Sequence, residues 1–354
     1  MTDGRRQASA RLLFQDKAAS MQTLTEALTL TPSGDGRLTT NLTRDFSNAA
    51  LAMDPDKGAP FGGLMAALAA RAASEGLGLT VPLQTLTIQY LAAARFEACD
   101  FTPTLLRGGR SVAYARIEAG QPGRPALSAL ATFGKVSPSP SIKPLTPPTT
   151  PFQALDDTAV DPTLAPSFTR YIERRFDGGP RLAGGNDVSD PTLRLWMRTA
   201  EHKPLDVWDL CFLLDGIFPA YMTVLRGPPV ISASVDLRYD FIEPLTPETS
   251  PEGWAVFQFT VRDVGGGWAL DDGVAFSPSG LPLALARQPS CIRGGGTRSG
   301  SSGSAWCAGP ACPICRSPSA RPGTPRPSDD SGSGRPPAGS NPRGRRPRPR
   351  PCDG

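Results

Sequence analysis

The sequence predicts an α+β protein made of two similar modules, each one long helix packed on a curved antiparallel sheet. Three observations lead there. A proline-rich stretch divides the apolar pattern near its middle, the same order of elements can be read on either side, and short turn signals separate the strands. At 354 residues the chain has room for two domains of ordinary size. Its 39% apolar content is enough for a sizeable core.

The first module is expected over residues 21–135. Arg37–Phe46 reads as a strand. An alanine-rich helix starts after Pro60 and runs to about Ser74, with Phe61, Leu64, Leu68 and Ala72 at helical spacing. Leu86, Ile88 and Tyr90 then alternate with Thr85, Thr87 and Gln89, as in a half-buried strand. Phe101–Leu106 and Ser111–Ile117 are expected to pair through Arg107-Gly108-Gly109-Arg110, the glycines supplying positive φ. Leu127, Ala129, Ala131 and Phe133 close the module.

Residues 136–166 read as a semi-extended proline linker. The second module, 167–293, repeats the order. Phe168–Phe176 and Thr192–Met197 are strand-like, and Leu205–Leu225 is helical with a kink or break at Pro219. Ile231–Phe241 alternates cleanly, and Trp254–Val261, Ala269–Phe276 and Leu281–Gln288 follow. Gly265-Gly266-Gly267 reads as a hairpin turn, because no helix opens after it to bind phosphate.

Residues 1–20 read as a disordered N-terminal extension, and 294–354 as a tail too poor in apolar residues to repay the entropy of ordering. From Ser290 onward there are eleven Arg against three Asp. That surplus exceeds the +4 of the whole chain, so the modules themselves are acidic. Arg343–Arg350 could bind phosphate non-specifically; text of this kind also arises when a GC-rich gene is read out of frame. No specific nucleic-acid partner is expected. Cys312-Pro313-Ile314-Cys315 has the spacing of half a zinc knuckle but lacks a second pair, and reads as chance. Only Cys99, Cys211 and Cys291 fall in the modules, which fits a reducing, cytoplasmic setting. No run of about 18 apolar residues exists, so membrane insertion is not expected.

Most catalytic constellations can be struck out. His202 is the single histidine and reads as a surface loop residue. There is no G-x-S-x-G elbow and no P-loop, and neither metal nor cofactor is expected. Carboxylates remain. On the helix Leu205–Leu225, Asp209 falls on the solvated face, while Asp215 falls at the edge of the apolar arc. A partly desolvated carboxylate there could serve as a base, or simply pair with a neighbouring loop.

The helix text LLDGIFPA, the strand text SASVDLRYDFIEPL and the closing LALARQ, in that order, resemble the C-terminal hot-dog of acyl-CoA thioesterases of the thioesterase II type. PFGGLMAALAARAA, LQTLTIQYLAAAR and LLRGGRSVAYARIEAGQ resemble the first hot-dog of the same family. The resemblance covers roughly residues 21–293 and implies a tandem (double) hot-dog. It implies a catalytic set of Asp215, Ser234 and Gln288, with Asp215 taking the proton of a water that the other two hold. It also implies an acyl-CoA substrate bound near Gly62 and Gly63. Those glycines would either admit a thioester carbonyl to the helix N-terminus or serve helix–sheet packing. Arg107, Arg110 and Arg238 are candidates for the CoA phosphates. Ser234 shares its face with Asp236 and Arg238 by alternation, so that face would have to line the cleft. Trp208, Phe212 or Phe218 beside Asp215 would shorten an acyl pocket. A hot-dog hydratase is disfavoured because no helix carries a histidine. A hot-dog that binds acyl-CoA without turnover is the other reading. Sheet edges of this kind usually associate, so a homo-oligomer is expected.

Overall fold

The structure is a computed structural model in which residues 22–138, 140–149, 152, 165–177, 190–224 and 231–293 are described. All lie in the first of two compact units, Met1–Cys315; the second, Arg316–Gly354, lies outside the described residues. So do the expected N-terminal extension, the tail with its Cys312–Cys315 pair and Arg343–Arg350, and much of the linker.

The first half runs α1 (Leu24–Ala27), β1 (Thr31–Gly34), β2 (Arg37–Asn41), α2 (Gly62–Gly76), β3 (Leu83–Tyr90), β4 (Ala98–Gly108), β5 (Val112–Gln121) and β6 (Arg124–Gly134). The second runs β7 (Ile172–Phe176), β8 (Thr192–Thr199), α3 (Val207–Leu214), β9 (Ile231–Ser234), β10 (Asp236–Phe241), β11 (Ala255–Gly265), β12 (Trp268–Phe276) and β13 (Pro282–Arg293). The strands form one sheet in the order β1-β2-β4-β5-β6-β3-β10-β13-β12-β11-β8-β7, with β9 also on β13. Read from either edge the connectivity is the same: β2-β4-β5-β6-β3 in one half answers β8-β11-β12-β13-β10 in the other. The halves join where β3 pairs with β10 in antiparallel register, Ile88 opposite Leu237 and Leu86 opposite Tyr239.

Alternation decides which face is covered. On β5, Ala113, Ala115, Ile117 and Ala119 are buried while Val112, Tyr114, Arg116 and Glu118 are exposed. The covering helix α2 buries Ala66, Ala67, Ala69, Ala70, Ala72 and Ala73 completely. Their small side chains let its backbone lie close to the sheet. No described helix is long and apolar enough to cross a membrane.

The second module departs from the expected single long helix. Leu205–Leu225 gives the eight residues of α3 and then a 3-10 turn at Ala220–Thr223. The break comes at Asp215-Gly216, ahead of Pro219. Gly216 donates its N–H to the Leu213 carbonyl at 2.8 Å. A Cβ on it would stand 2.6 Å from Ile172 Cδ1, so the chain turns there under β7. Asp209 is also misplaced by simple helical geometry. It is 1% exposed, because Lys203 from the preceding loop folds over it, Nζ to Oδ2 2.6 Å. Asp206 and Asp209 form a reciprocal cap on the first turn of α3. In the β4–β5 hairpin neither Gly108 nor Gly109 has positive φ. Gly109 is needed for space instead, since a Cβ there would lie 2.7 Å from the Val112 carbonyl oxygen.

Two further stretches read as strands begin or end as 3-10 turns, Arg44–Phe46 and Ser167–Tyr171. These turns deliver aromatic rings to a shared cluster. Phe46 stacks on Tyr171 at 4.1 Å and Phe61 on Phe168 at 3.6 Å. Phe212 of α3 meets Phe46 and Phe61 edge-on, at 6.1 and 5.2 Å. Rings from both halves therefore pack around the end of α3. Removing the central one, Phe212→Ala, should cost about 3–5 kcal/mol. Urea unfolding followed by tryptophan fluorescence measures this, and a loss below about 1 kcal/mol would mean the cluster does not couple the halves.

Candidate active site

The site assembles where α2 begins and α3 ends. Phe61 caps α2 in extended conformation, its N–H donating to the Phe46 carbonyl at 2.9 Å. Gly62 follows, its carbonyl accepting from the Tyr90 hydroxyl at 2.9 Å. Because α3 stops after Leu214, Asp215 becomes its C-cap and its carboxylate comes to the N-terminus of α2, where the Gly63 backbone amide stabilises it. The positive end of the α2 dipole adds to this. The two glycines then do different things. A Cβ on Gly62 would sit 2.8 Å from Asp215 Oδ2, so only glycine fits beside that oxygen. A Cβ on Gly63 would strike the Phe61 ring at 2.5 Å and the Phe212 carbonyl at 2.8 Å, which is a packing requirement.

Gln288 connects the expected set. It lies on the inner face of β13 in line with buried Ala284 and Ala286. Its Nε2 donates to Asp215 Oδ1 and to Ser234 Oγ, each at 2.7 Å. Both amide hydrogens are thereby used, and the carboxylate and hydroxyl flank one nitrogen.

Ser234 arrives by a route that alternation does not predict. The strand read as Ile231–Phe241 is interrupted at Val235. On one side Ser234 stands opposite Ser290; on the other Arg238 stands opposite Arg287. Four residues on one strand thus answer three on the other, a bulge that changes the facing. Ser234 shares the inner face of Gln288 and Ser290, and the face of Asp236 and Arg238 is the other one. Pro289 sits across the irregularity, its carbonyl accepting from Val235 at 3.0 Å and its ring nitrogen having nothing to donate.

Burial pushes the Asp215 pKa from its ordinary 3.8 up to about 7, against the opposing pull of the Gln288 and Gly63 hydrogen bonds. Tyr90 also belongs to the site. Its phenol is held well above its ordinary range, first by burial and then by the Asp215 charge. In the sequence Tyr90 reads as the third apolar residue of an alternating strand; the cue to its second role is a hydroxyl at a strand end.

Other expected groups lie elsewhere. Arg110 is exposed at the β4–β5 turn. Val112 beside that turn pairs with Gly134, and Phe133 with Leu83, so the turn lies at the Leu83 end of the sheet. Tyr90 is at the other end of β3, about 23 Å away at ~3.3 Å per residue. Arg107 shares this turn region, and Arg238 is tied to Asp240 at 2.6 and 2.8 Å on the outer face. Trp208 is not beside Asp215 but lines a ≈ 330 Å³ cavity at the opposite end of α3, with Leu83, Pro204, Phe241 and Leu245. Phe212 is committed to the aromatic cluster. His202 is half exposed in a turn, 2.5 Å from Glu173. Among the described residues no group of three His, Cys, Asp or Glu could hold a metal ion.

Residues 51–134 match the family description "Acyl-CoA thioesterase N-terminal domain", and residues 145–292 match "Acyl-CoA thioesterase C-terminal domain". No curated protein matches the chain in sequence. Among solved structures, it is similar to a hot-dog-fold protein from Alicyclobacillus acidocaldarius (TM-score 0.67, 21% identity), covering 77% of this chain and 98% of that one. A tesB protein from Mycobacterium avium subspecies paratuberculosis matches at TM-score 0.61 and 18% identity over the same shares. An acyl-CoA thioesterase II from Mycobacterium marinum matches at TM-score 0.58 and 18% identity, again over 77% and 98%. At these identities the likeness shows the hot-dog fold.

The raised pKa has a stability consequence. The folded Asp215 carboxyl holds its proton more tightly than the unfolded one, so its contribution is complete below about pH 4 and is lost as pH climbs through about 7. Asp215→Asn, which cannot ionise, should therefore melt above the parent at pH 8 and converge with it near pH 4. Thermal scans across that range decide the matter; a constant difference in Tm would show that the carboxyl is not perturbed.

Proposed function

Given that the chain belongs to the acyl-CoA thioesterase family, we propose that it hydrolyses a fatty acyl-CoA to the free acid and CoA, with Asp215 activating the water. We read its two halves as two hot-dog modules, 21–135 and 167–293, joined by the 136–166 linker. The supporting observation is the single Gln288 amide nitrogen that holds Asp215 Oδ1 and Ser234 Oγ at 2.7 Å each. Nothing of this kind is needed to close a hydrophobic core.

Oδ2, which lies against Gly62, takes a proton from the water as its oxygen attacks the thioester carbonyl carbon. Ser234 accepts from Gln288, so its own hydroxyl hydrogen remains to orient the water oxygen. Gln288 acts through these two neighbours, since both of its hydrogens are engaged. The oxyanion is stabilised by backbone N–H groups of the first turn of α2 other than that of Gly63. When the carbon–sulfur bond breaks, the proton held by Asp215 passes to the departing thiolate, which restores the base.

A setting in the cytoplasm, where acyl-CoA is made and used, suits this reading. Exposed Leu105, Leu106, Tyr114 and Leu130 on β4–β6 support a homo-oligomer covering that part of the sheet. Binding of acyl-CoA without turnover predicts the same fold but no dependence of any rate on Asp215. Assays with acyl-CoAs of graded chain length, reading released thiol, separate the two. Asp215→Ala should lower kcat by ~10²–10⁴. Parental activity in that variant would overturn the assignment. For the parent, kcat/KM should rise with pH and level off above about 7, because the ionised carboxylate is the active form. A profile flat between pH 5 and 8 would exclude Asp215 as the base.

A further inference from the structure

A second carboxylate lies on the inner face of the same module. Asp271 of β12 stands directly opposite Gln288 of β13, so the two side chains share a face. Asp271 is 6% exposed. Its Oδ1 is fully enclosed and has no hydrogen-bond partner among the described residues. Burial pushes its pKa up to about 7, partly offset by the nearby backbone amides of Tyr221 and Ala220. A buried acceptor without a donor is costly, and native structures seldom leave one so.

Asp271 and Gln288 both border a small cavity beneath Leu214, the residue before Asp215, lined also by Leu237, Phe259, Asp272, Gly273 and Ala286. Gly273 helps to keep it open, since a Cβ there would lie 3.1 Å from the Phe259 ring. The volume is ≈ 10 Å³, about the size at which a cavity admits a single water. Gln288 commits both amide hydrogens to Asp215 and Ser234. Its carbonyl oxygen is left as an acceptor. Two acceptors and a water-sized space between them match the two hydrogens of one water molecule.

We propose that this cavity holds one buried water, donating to Asp271 Oδ1 and to the Gln288 carbonyl, and that Asp271 is thereby a positioning residue for the Gln288 amide. The two ends of an amide differ only in what they can donate or accept. A donor fixed at the carbonyl end keeps Nε2 toward Asp215 and Ser234. Without it the group can turn its oxygen to the carboxylate, where two acceptors repel and the alignment is lost. This inference rests on the hydrolytic reading of Gln288, but the water site does not.

The test uses the full chain, Asp271→Leu and Asp271→Asn. Leucine matches aspartate in shape but has no acceptor to hold the water; asparagine keeps a carbonyl for it. In acyl-CoA hydrolysis Asp271→Leu should lower kcat about tenfold with KM within about twofold, and Asp271→Asn should stay within about twofold of the parent. Crystals of the parent and Asp271→Asn should show a water within hydrogen-bond distance of residues 271 and 288. Parental kcat in a folded Asp271→Leu variant would overturn the positioning role. A parent crystal structure with no water density in the cavity would overturn the site, even if the leucine variant fails to fold. If the parent hydrolyses no acyl-CoA, the functional reading falls by itself, and the density still decides the water.

Discussion

The antiparallel pairing of β3 with β10 is the constraint on which the rest of the architecture depends. It makes one sheet of two halves. The helices on the common face then lie with the start of α2 beside the finish of α3. A carboxylate from one half and a helix N-terminus from the other are brought together only by this pairing. Neither half of the sheet alone contains the pair. The aromatic cluster of Phe46, Phe61, Phe168, Tyr171 and Phe212 packs at the same junction.

The chemistry of the site follows from how each side chain is delivered. Asp215 is a helix terminus, Gln288 a strand position, and Ser234 the last residue before a bulge. Each belongs to a different kind of element, so no local sequence signature could contain all three. What unites them is a single side-chain amide that has hydrogens for two acceptors. The pKa of Asp215 reflects the same balance: burial raises it, and two donors limit the rise while keeping the charged form attainable near neutral pH.

Much of this was legible in the order of residues, and the failures have identifiable causes. The strands β3, β5 and β6 follow from period-two burial, because one face of each is covered and the other is not. The alanine-rich α2 was readable for the same kind of reason. Helical spacing puts Asp215 at the margin of the apolar arc of a helix running through Gly216, whereas the helix ends at Leu214 and Asp215 is its C-cap, with no room for a side chain on Gly216 beside Ile172. It also exposed Asp209, since no helical wheel includes the lysine that folds over from the preceding loop. Strict alternation put Ser234 on the wrong face because a one-residue bulge leaves no trace in composition; only Pro289 on the opposing strand hints at it. Arg110 looked suitable by charge alone, and strand register removed it to the far end of the sheet.

The repeated connectivity has a consequence for stoichiometry. A crevice at the start of α2 and the end of α3 has its counterpart at the start of α3 and the loop beyond α2. That counterpart is the larger cavity, walled by Leu83, Trp208 and Phe241. It holds no hydroxyl, amide and acid around one nitrogen. The frame is therefore repeated without the chemistry, and among the described residues one of its two crevices carries the candidate centre.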